Sequence, residues 1–399
     1  MDSLTEALTA MKMVDLKAYA REANMKGFSK HTTKEALRNF IISASVVPES
    51  HLTSDIGQDS SSLEISLPIQ PNHNKRSNVN VLDLFSGCGG MIHGFCKRFN
   101  IVCGIDVWDK AIDSYNSNYE HLGICEDLTS YPPEKCNTDH VNGKTIDIIV
   151  GGPPCQSYSM GGRRDPNDPR ANLFMEYYRY LQFFKPKVFI MENVIGILSV
   201  KDKDNNLLIT HIMELLSENY NCMINKLYAC DFEVPQLRRR VIVVGIRKDL
   251  NILPQPIASI NPNNRIAVGT ILQDRQDVDP SHFLSERAIN GIIAKKERMR
   301  NESKGFGAQF LDLAKPSYTI PARYWKDGYD ALVRYSDREI RRLTVLELKR
   351  IQTFPDDYIL CGTKKDQIMQ IGNAVACKFG YHLANYVAGI FDEIEASSQ

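Results

Sequence analysis

The stretch GGPPCQSYS places a single thiol, that of Cys155, directly behind two glycines and two prolines. A cysteine that acts as a nucleophile must be a partly exposed thiolate held in a fixed position. The apolar run IDIIV before Gly151 predicts a buried strand, and the polar, basic sequence QSYSMGGRRDPNDPR after Cys155 predicts a loop. Cys155 is therefore a candidate nucleophile at a strand end, with an inert buried cysteine as the alternative.

Two further stretches place charged side chains next to predicted strands. Glu192 follows the apolar run KVFIM, where a half-buried carboxyl group can donate a proton or simply cap a helix. In VPQLRRRVIVVG three arginines enter a strand. Because adjacent residues of a strand face opposite sides, Arg238 and Arg240 share one face and Arg239 takes the other. The pattern predicts either an arginine pair that points into a site or a salt-bridged strand entrance.

The stretch VLDLFSGCGGMIHGF predicts a strand at Val79 to Leu84, then a turn that contains Gly87 and Gly89, then a helix. Asp106 ends the next predicted strand and can accept both ribose hydroxyls of a nucleoside. Asp127 follows a third strand and can read an adenine edge, although each acid alone also fits an ordinary cap. The glycine spacing does not match GxGxxG, so it favours a nucleoside without a pyrophosphate.

The elements that must position these residues alternate along the chain. Short β-branched runs such as FNIVCGID and RRRVIVVGIR are separated by helical patterns such as NLFMEYYRYLQFF. This alternation predicts an α/β domain with a parallel sheet that is covered on both faces. Ligands of such sheets bind at the carboxyl ends of the strands, which is where the candidate residues lie.

The rest of the chain has different sequence patterns. Residues 1–43 predict two short helices, and residues 44–78 predict a flexible linker rich in Ser, Pro, Asn and Asp. Residues 250–335 lack the alternation and suggest a smaller inserted module. Although the chain has a formal net charge of zero, the segment from Arg287 to Arg350 holds 15 Lys/Arg and 8 Asp/Glu. That excess suggests a polyanionic partner, with a solvated surface as the alternative.

Composition excludes several classes of protein. The hydrophobic fraction of 43% and the charged fraction of 24% are typical of globular proteins, and no apolar run is long enough to predict a membrane span. The N-terminus lacks the pattern of a secretory signal, which predicts an intracellular protein. The ten cysteines occur singly, without the spacing of a zinc site or a disulfide framework, so we expect no metal.

Together these stretches resemble the DNA (cytosine-5) methyltransferase family over residues 79–391. The resemblance rests on seven motifs in order: DLFSGCGG, GGPPCQSYS, DPRANLF, ENV, QLRRR, RRLTVLELKRIQTFPDDY and QIGNAV. It implies a class I S-adenosylmethionine-dependent methyltransferase fold, Rossmann-like, with a mostly parallel sheet. It also implies a catalytic domain at 79–249, a small irregular target-recognition domain at 250–335, and a return to the catalytic domain at 336–399, where the last helix packs beside the first strands.

The resemblance assigns roles to the candidate residues. Cys155 attacks C6 of a cytosine flipped out of double-stranded DNA, Glu192 donates to N3, and Arg240, with Arg238 on the same face, holds O2. Base flipping leaves a gap that the loop from Ser157 to Arg170 is expected to fill. The residues expected to bind S-adenosylmethionine, which leaves as S-adenosylhomocysteine, are Phe85, Gly87, Gly89, Asp106, Val107, Asp127, Pro154, Asn373 and Val375. Those expected to contact DNA are Ser159, Arg163, Arg164, Arg170 and Arg323, with Tyr324 and Lys326 as further candidates.

Alternatives within the resemblance stay open at this point. The tRNA-methylating branch has the same catalytic residues, but its CFT signature is missing here. A silent DNA-binding relative would usually have lost the cysteine, the glutamate or the glycine-rich turn. The segment at 1–43 resembles a SAP-like hairpin, which binds nucleic acid, or a plain docking hairpin. We expect a monomeric, stand-alone or restriction-modification-type DNA methylase that stays with DNA inside the cell and has a cognate restriction endonuclease as a potential partner.

Overall fold

The computed structural model of the 399-residue chain describes residues 75–154, 173–201, 205–301, 308–326 and 328–397. The predicted hairpin at 1–43 and the predicted linker up to residue 74 lie outside the described residues. So do five of the expected site residues, which are Cys155, Ser159, Arg163, Arg164 and Arg170.

A seven-stranded sheet forms the centre of the described chain, in the spatial order β3-β2-β1-β4-β5-β7-β6. Strand β7 is antiparallel to both of its neighbours, and the other strands run parallel to one another. The α/β sheet predicted from the alternation is therefore confirmed, as is the mostly parallel form that the resemblance implies. The strands are β1 (Arg76–Leu84), β2 (Phe99–Asp106), β3 (Gly123–Cys125), β4 (Ile148–Gly151), β5 (Val188–Val194), β6 (Tyr220–Tyr228) and β7 (Arg239–Arg247).

Strand β1 begins before the predicted domain start at residue 79. Its first residue, Arg76, lies in the segment assigned to the linker from sequence. The Arg76 amide donates to the carbonyl of Arg98 at 2.7 Å, and its guanidinium pairs with Asp392 and Glu395. These long-range partners extend the strand through the polar residues RSN, which carry no strand signal of their own.

Helices cover both faces of the sheet. On one face Val79 and Val81 of β1 share a hydrophobic core with Phe379 and Leu383 of the C-terminal helix. On the other face β1 contributes alternate residues to a second core under the helices that flank β5. The helices are α1 (Ile92–Phe95), α2 (Asp109–Asn118), α3 (Pro133–Cys136), α4 (Leu173–Phe184), α5 (Leu208–Leu216), α6 (Glu286–Asn301), α7 (Val345–Ile351), α8 (Lys364–Asn373) and α9 (Cys377–Ala396).

The C-terminal helix returns to the first strands, as the resemblance implies. Nε of Arg98, which precedes β2, donates to Oδ1 of Asn385 on α9 at 2.6 Å, and Arg98 also bonds the Tyr381 hydroxyl. The QIGNAV motif is divided, because α8 ends at Asn373 and α9 starts at Cys377. Ala376 of the short connection between these helices belongs to the same hydrophobic core as Val79 and Val81 of β1.

The irregular region after β7 contains α6 and a hairpin of β8 (Leu332–Ser336) and β9 (Glu339–Arg342). The expected domain boundary between residues 335 and 336 falls inside this hairpin. Arg341 forms two hydrogen bonds of 2.8 Å with Glu347, and both side chains are fully buried. Since Glu347 also completes the capping box of α7 with Thr344, this pair connects the hairpin to the return segment.

None of the described helices is both long and apolar enough to cross a membrane. In the same part of the chain, no three His, Cys, Asp or Glu side chains are grouped so that they could hold a metal ion.

Candidate active site

Glu192 and Arg240 meet at the carboxyl edge of the sheet. Arg240 lies opposite Val194 in the antiparallel ladder of β5 and β7, so its side chain is on the same face as Glu192. Nε of Arg240 is 2.5 Å from Oε1 of Glu192, and the two side chains are only 10% and 13% exposed. Because the Nε–H is not directed at an acceptor, the contact is an ion pair without a well-formed hydrogen bond.

The strand end that leads to Cys155 lies beside this pair. A Cβ on Gly152 would be 3.2 Å from Oε2 of Glu192, and Nδ2 of buried Asn193 donates to the Pro153 carbonyl at 3.1 Å. Asn193 thus anchors the two-proline turn to β5, and Pro154 is half-buried at its end. Cys155 follows directly in sequence but lies outside the described residues.

Arg238 has partners different from those of Arg240. Its guanidinium is buried and donates to the carbonyls of Ile320, Gly372 and Ala374 at 3.3, 3.0 and 3.1 Å. These carbonyls belong to the exit of the irregular region and to the end of α8. The shared face predicted for the two arginines is present, but in this structure only Arg240 contacts the carboxyl group, and Arg238 holds backbone together.

Two buried glutamines form further hydrogen bonds between the segments that Arg238 connects. Nε2 of Gln236 donates to Oε1 of Gln352 at 3.1 Å, and Oε1 of Gln236 accepts the Ile320 amide at 3.1 Å. Nε2 of Gln352 in turn donates to the Ile371 carbonyl at 2.8 Å. Motifs far apart in sequence therefore share one buried polar network, which positions the residues that follow α8.

The connection after α8 packs against the glycine-rich turn. A Cβ on Gly90 would lie 2.2 Å from the Val375 carbonyl, so Val375 packs directly on the turn. Asn373, at the end of α8, is exposed and Val375 is half-buried. Val375 therefore lies against the turn, and Asn373 ends the helix that leads to it.

The glycine-rich turn has left-handed backbone at three of its residues, Phe85, Gly87 and Gly89. Oδ2 of Asp106 accepts the Gly87 amide at 2.8 Å, and Oδ1 accepts the Trp108 amide at 2.9 Å. Burial raises the pKa of Asp106, and these backbone hydrogen bonds oppose the shift. Asp106 is thus at the end of β2 as predicted, and it also holds the turn in shape.

Two tyrosines that sequence reasoning missed support the turn from behind. The Tyr119 hydroxyl donates to the Gly89 carbonyl at 3.0 Å, and the Tyr358 hydroxyl donates to the Cys88 carbonyl. Nδ1 of His93 is 3.1 Å from the Tyr119 hydroxyl. Because each hydroxyl has one proton and gives it to a carbonyl, His93 must be the donor to Tyr119. Burial lowers the pKa of His93 to about 4, so the ring is neutral near pH 7.

Alanine variants of Gly87 and Gly89 are expected to distinguish the cost of a clash with the Tyr119 ring from the cost of backbone strain. A Cβ on Gly89 would lie 2.4 Å from Cε2 of Tyr119, whereas a Cβ on Gly87 meets nothing within 4 Å. Both residues have positive φ, which costs an alanine about 1–2 kcal/mol. Gly89→Ala should lose a further 1–3 kcal/mol of unfolding free energy through overpacking. Denaturant unfolding of both variants measures the difference, and equal losses would contradict the ring contact.

The remaining expected cofactor residues lie at the same edge. Asp127 follows β3, and its Oδ1 accepts both the amide and the hydroxyl of Thr129, at 2.9 and 2.8 Å. It therefore caps a local turn, which was the alternative that the sequence left open. Val107 is 67% exposed directly after Asp106.

The space beside the turn has features that suit a polar ligand. Gly87 leaves it open, Asp106 and Val107 border it, and two buried oxygens, Oδ2 of Asp83 and Oγ of Ser86, have no hydrogen-bond partner among the described residues. Asp83 was missed because it sits inside the run VLDLF, where only the apolar neighbours carry a signal. Burial, and to a lesser degree the charge of Asp106, raises the pKa of Asp83 well above its usual value.

An Asp83→Asn variant is expected to gain stability relative to the wild type as pH rises. The raised pKa means that folded Asp83 keeps a proton which the unfolded chain releases near pH 4, so wild-type stability falls with pH. Asparagine removes this loss, which is about 1.4 kcal/mol per pH unit up to the folded pKa. Thermal unfolding of both proteins at pH 5 and pH 7 gives the stability difference between them at each pH. Any pH-independent effect of the amide is the same at both values and drops out of the comparison. A constant difference would contradict a protonated Asp83.

The irregular region presents two of its three candidate DNA-contact residues to solvent. The Arg323 side chain is 71% exposed, with Nη2 3.4 Å from Asp330, and Lys326 is also exposed. Tyr324 is different, because it is 2% exposed and its hydroxyl donates to the Ala331 carbonyl and accepts the Leu343 amide. The expectation that Tyr324 contacts DNA is therefore wrong, since its ring belongs to the core of the region.

A comparison with known families decides the class of enzyme. Residues 79–388 match the family model described as C-5 cytosine-specific DNA methylase. The chain belongs to this family. The methylase therefore transfers a methyl group to C5 of cytosine in DNA, as expected from the motifs.

Individual relatives agree with this assignment. The type II methyltransferase M.DdeI of Desulfomicrobium norvegicum is 30% identical in an alignment that is 384 residues long. The alignment covers 79% of the methylase and 90% of the relative. M1.HphI of Haemophilus parahaemolyticus is 32% identical over 317 residues, which cover 75% and 83%. The solved structure of the Entamoeba histolytica methyltransferase EhMeth matches with a TM-score of 0.61 at 20% identity, over 80% of the methylase and 99% of that chain. The class I methyltransferase fold is confirmed, and the type II relatives favour DNA over tRNA as substrate.

Proposed function

We propose that the methylase modifies a cytosine flipped out of double-stranded DNA through a covalent adduct between Cys155 and C6 of the base. The observation that carries this proposal is the ion pair of Glu192 and Arg240 beside the turn that leads to Cys155. A carboxyl group and a guanidinium group only 2.5 Å apart can hydrogen-bond N3 and O2 along the edge of one pyrimidine.

The chain's own residues then carry the acid, base and nucleophile steps. The Cys155 thiolate adds to C6, and the electrons of the C5=C6 double bond move to C5 as the C–S bond forms. Glu192, which must first take up a proton in place of its ion pair, donates to N3, and Arg240 donates to O2, where negative charge develops during the addition. S-adenosylmethionine, when bound, supplies the methyl group for C5. Loss of the C5 proton expels the thiolate from C6, which restores the double bond and the free enzyme.

The open space beside the glycine-rich turn is the proposed cofactor site. Phe85 and Val107 would pack against the adenine, Asp106 would bind the ribose, and Asp127 would bind the adenine amine. The amino-acid end would lie nearest the glycines. Its remaining contacts are proposed to come from Gly87, Gly89, Pro154, Asn373 and Val375.

DNA binding is proposed to involve two parts of the chain. Extrusion of the cytosine costs a few kcal/mol, which the enzyme must offset by filling the gap and gripping the backbone. We assign that task to Ser159, Arg163, Arg164 and Arg170, and we assign base readout to the recognition region at 250–335 through residues such as Arg323. The hairpin at 1–43 would add nucleic-acid contacts or a docking surface.

The relatives suggest a biological setting. They are type II methyltransferases, so we propose that this methylase is a modification enzyme of a restriction-modification system, with a cognate endonuclease of the same specificity. It would act inside the cell, on DNA in the cytoplasm of a prokaryote or in a nucleus. We propose that it works as a monomer, because one chain contains every candidate catalytic residue.

Bisulfite sequencing tests the proposal directly. Unmethylated genomic DNA and, separately, tRNA are incubated with the protein and S-adenosylmethionine, and protected cytosines are mapped. Protection confined to one short DNA motif is the expected result. Protection of tRNA alone, or of neither substrate while the cofactor still binds, would contradict the proposal.

A further inference from the structure

A cluster of exposed cations around Tyr228 lies outside the active site and includes one residue of the recognition region, Arg265. In the ladder of β6 and β7, Tyr228 is directly opposite Arg239, and Lys226 precedes it on the same face. The guanidinium of Arg265 lies over the Tyr228 ring, 5.9 Å from its centroid. We call Lys226, Tyr228, Arg239 and Arg265 the β6 patch.

The β6 patch lies on the same edge of the sheet as the catalytic pair. β6 ends and β7 begins at the edge where β5 ends, and β7 is the only strand between β5 and β6. Arg239 is next to Arg240, whose Nη1 donates to the Arg239 carbonyl at 2.8 Å, but the Arg239 side chain is on the opposite face of the sheet from Arg240 and Glu192. With strands about 4.8 Å apart, the β6 residues of the patch are about 10 Å from β5, a distance of about three base pairs along a duplex.

The charge of the β6 patch is only partly neutralised within the described chain. Asp231 pairs with Arg265, with Oδ1 at 2.8 Å from Nε. Among the described residues, no carboxyl group forms an ion pair with Lys226 or Arg239, and both side chains are exposed. Tyr228 is itself 41% exposed, so an aromatic ring and two uncompensated cations face solvent together.

The patch also continues into the recognition region. Leu237, two residues before Arg239, is exposed, and its backbone bonds Ser317 and Thr319 at the exit of that region. The chain between the patch and the recognition region is therefore held together by backbone hydrogen bonds. From this placement and charge we propose that the β6 patch binds phosphates of the DNA backbone that flanks the target cytosine. The inference deepens the proposed function and rests on it.

Salt-dependent binding to a labelled duplex that carries the mapped site tests the proposal. Neutralisation of a phosphate contact lowers the slope of log K against log salt by about 0.9. The double variant Lys226→Gln/Arg239→Gln should therefore reduce the slope by about two and weaken binding on the order of tenfold at moderate salt. The charge-preserving variant Lys226→Arg/Arg239→Lys should keep the wild-type slope.

A matched control removes two cations from the opposite edge of the sheet. Lys144 precedes β4 and Lys185 precedes β5, and both are exposed. Lys144→Gln/Lys185→Gln should leave the slope and the affinity unchanged. An unchanged slope in the β6 double variant, or an equal loss in the control, would overturn the inference.

The wild-type protein separates this inference from the proposed function. Methyl transfer to the same duplex is measured in the same preparation. If the wild type methylates the duplex and the β6 double variant binds it as tightly as the wild type does, the inference alone is wrong. If the wild type methylates no DNA, the proposed function fails, whatever the slopes are.

Discussion

Cys155→Ala is expected to reduce methyl transfer by about 10⁴-fold or more while the protein still binds S-adenosylmethionine and DNA. Loss of the nucleophile removes the covalent route altogether, since no other group can take over addition to C6. The rate is measured with a methyl-labelled cofactor and unmethylated DNA, and binding is measured separately. A variant that kept wild-type turnover would exclude Cys155 as the nucleophile.

Trapping the covalent adduct tests directly whether Cys155 is the nucleophile. In a duplex with 5-fluorocytosine at the target, fluorine replaces the C5 proton and cannot leave as a cation, so the thiolate cannot be eliminated. The wild type should form an adduct that survives denaturation, and Cys155→Ala should not. Cys125→Ala is the matched control, because Cys125 is an exposed cysteine near the expected cofactor site. It should form the adduct as the wild type does.

Glu192→Gln is expected to lower the rate of methyl transfer by about 10²- to 10⁴-fold, because the base loses its proton donor. The variant should also be less stable than the wild type. Both side chains of the pair are largely buried, so Arg240 would remain as an uncompensated charge, at a cost of about 3–5 kcal/mol in unfolding free energy. Denaturant unfolding and single-turnover kinetics measure the two effects separately.

A double-mutant cycle distinguishes the two roles of the pair. Arg240→Gln should be unstable for the same reason as Glu192→Gln, and the double variant should recover part of the stability because no charge is left unpaired. Activity should not recover, since N3 and O2 have both lost their partners. Additive losses of stability would contradict the ion pair, and recovered activity would contradict the catalytic roles.

Sequence reasoning located the candidate site because parallel strands bring their carboxyl ends to one edge. Asp106 ends β2 as predicted, and Glu192, which was predicted to follow its strand, lies two residues before the end of β5 at the same edge. The alternation of side chains also separated exposed Arg239 from its buried neighbours Arg238 and Arg240. These inferences needed only local patterns, whose physical basis is the two-residue period of a strand.

Contacts between distant segments could not be inferred in this way. Tyr358 bonds the Cys88 carbonyl across 270 residues, and neither residue carries a local signal for the other. Arg238 and Arg240 have the same residue type and the same face, yet one holds three carbonyls and the other pairs with Glu192. Their difference depends on which backbone packs above each residue.

By itself the sequence therefore determined the strand ends, the kinds of side chain that occupy them and the family to which the motifs point. The tertiary structure alone decided which of those side chains meet, that Asp83 is a buried acid next to the glycine-rich turn, and that two tyrosines hold the turn in shape. The physical reason is that strand periodicity is encoded in neighbouring residues, whereas burial and hydrogen-bond partners are set by segments that come together only when the chain folds.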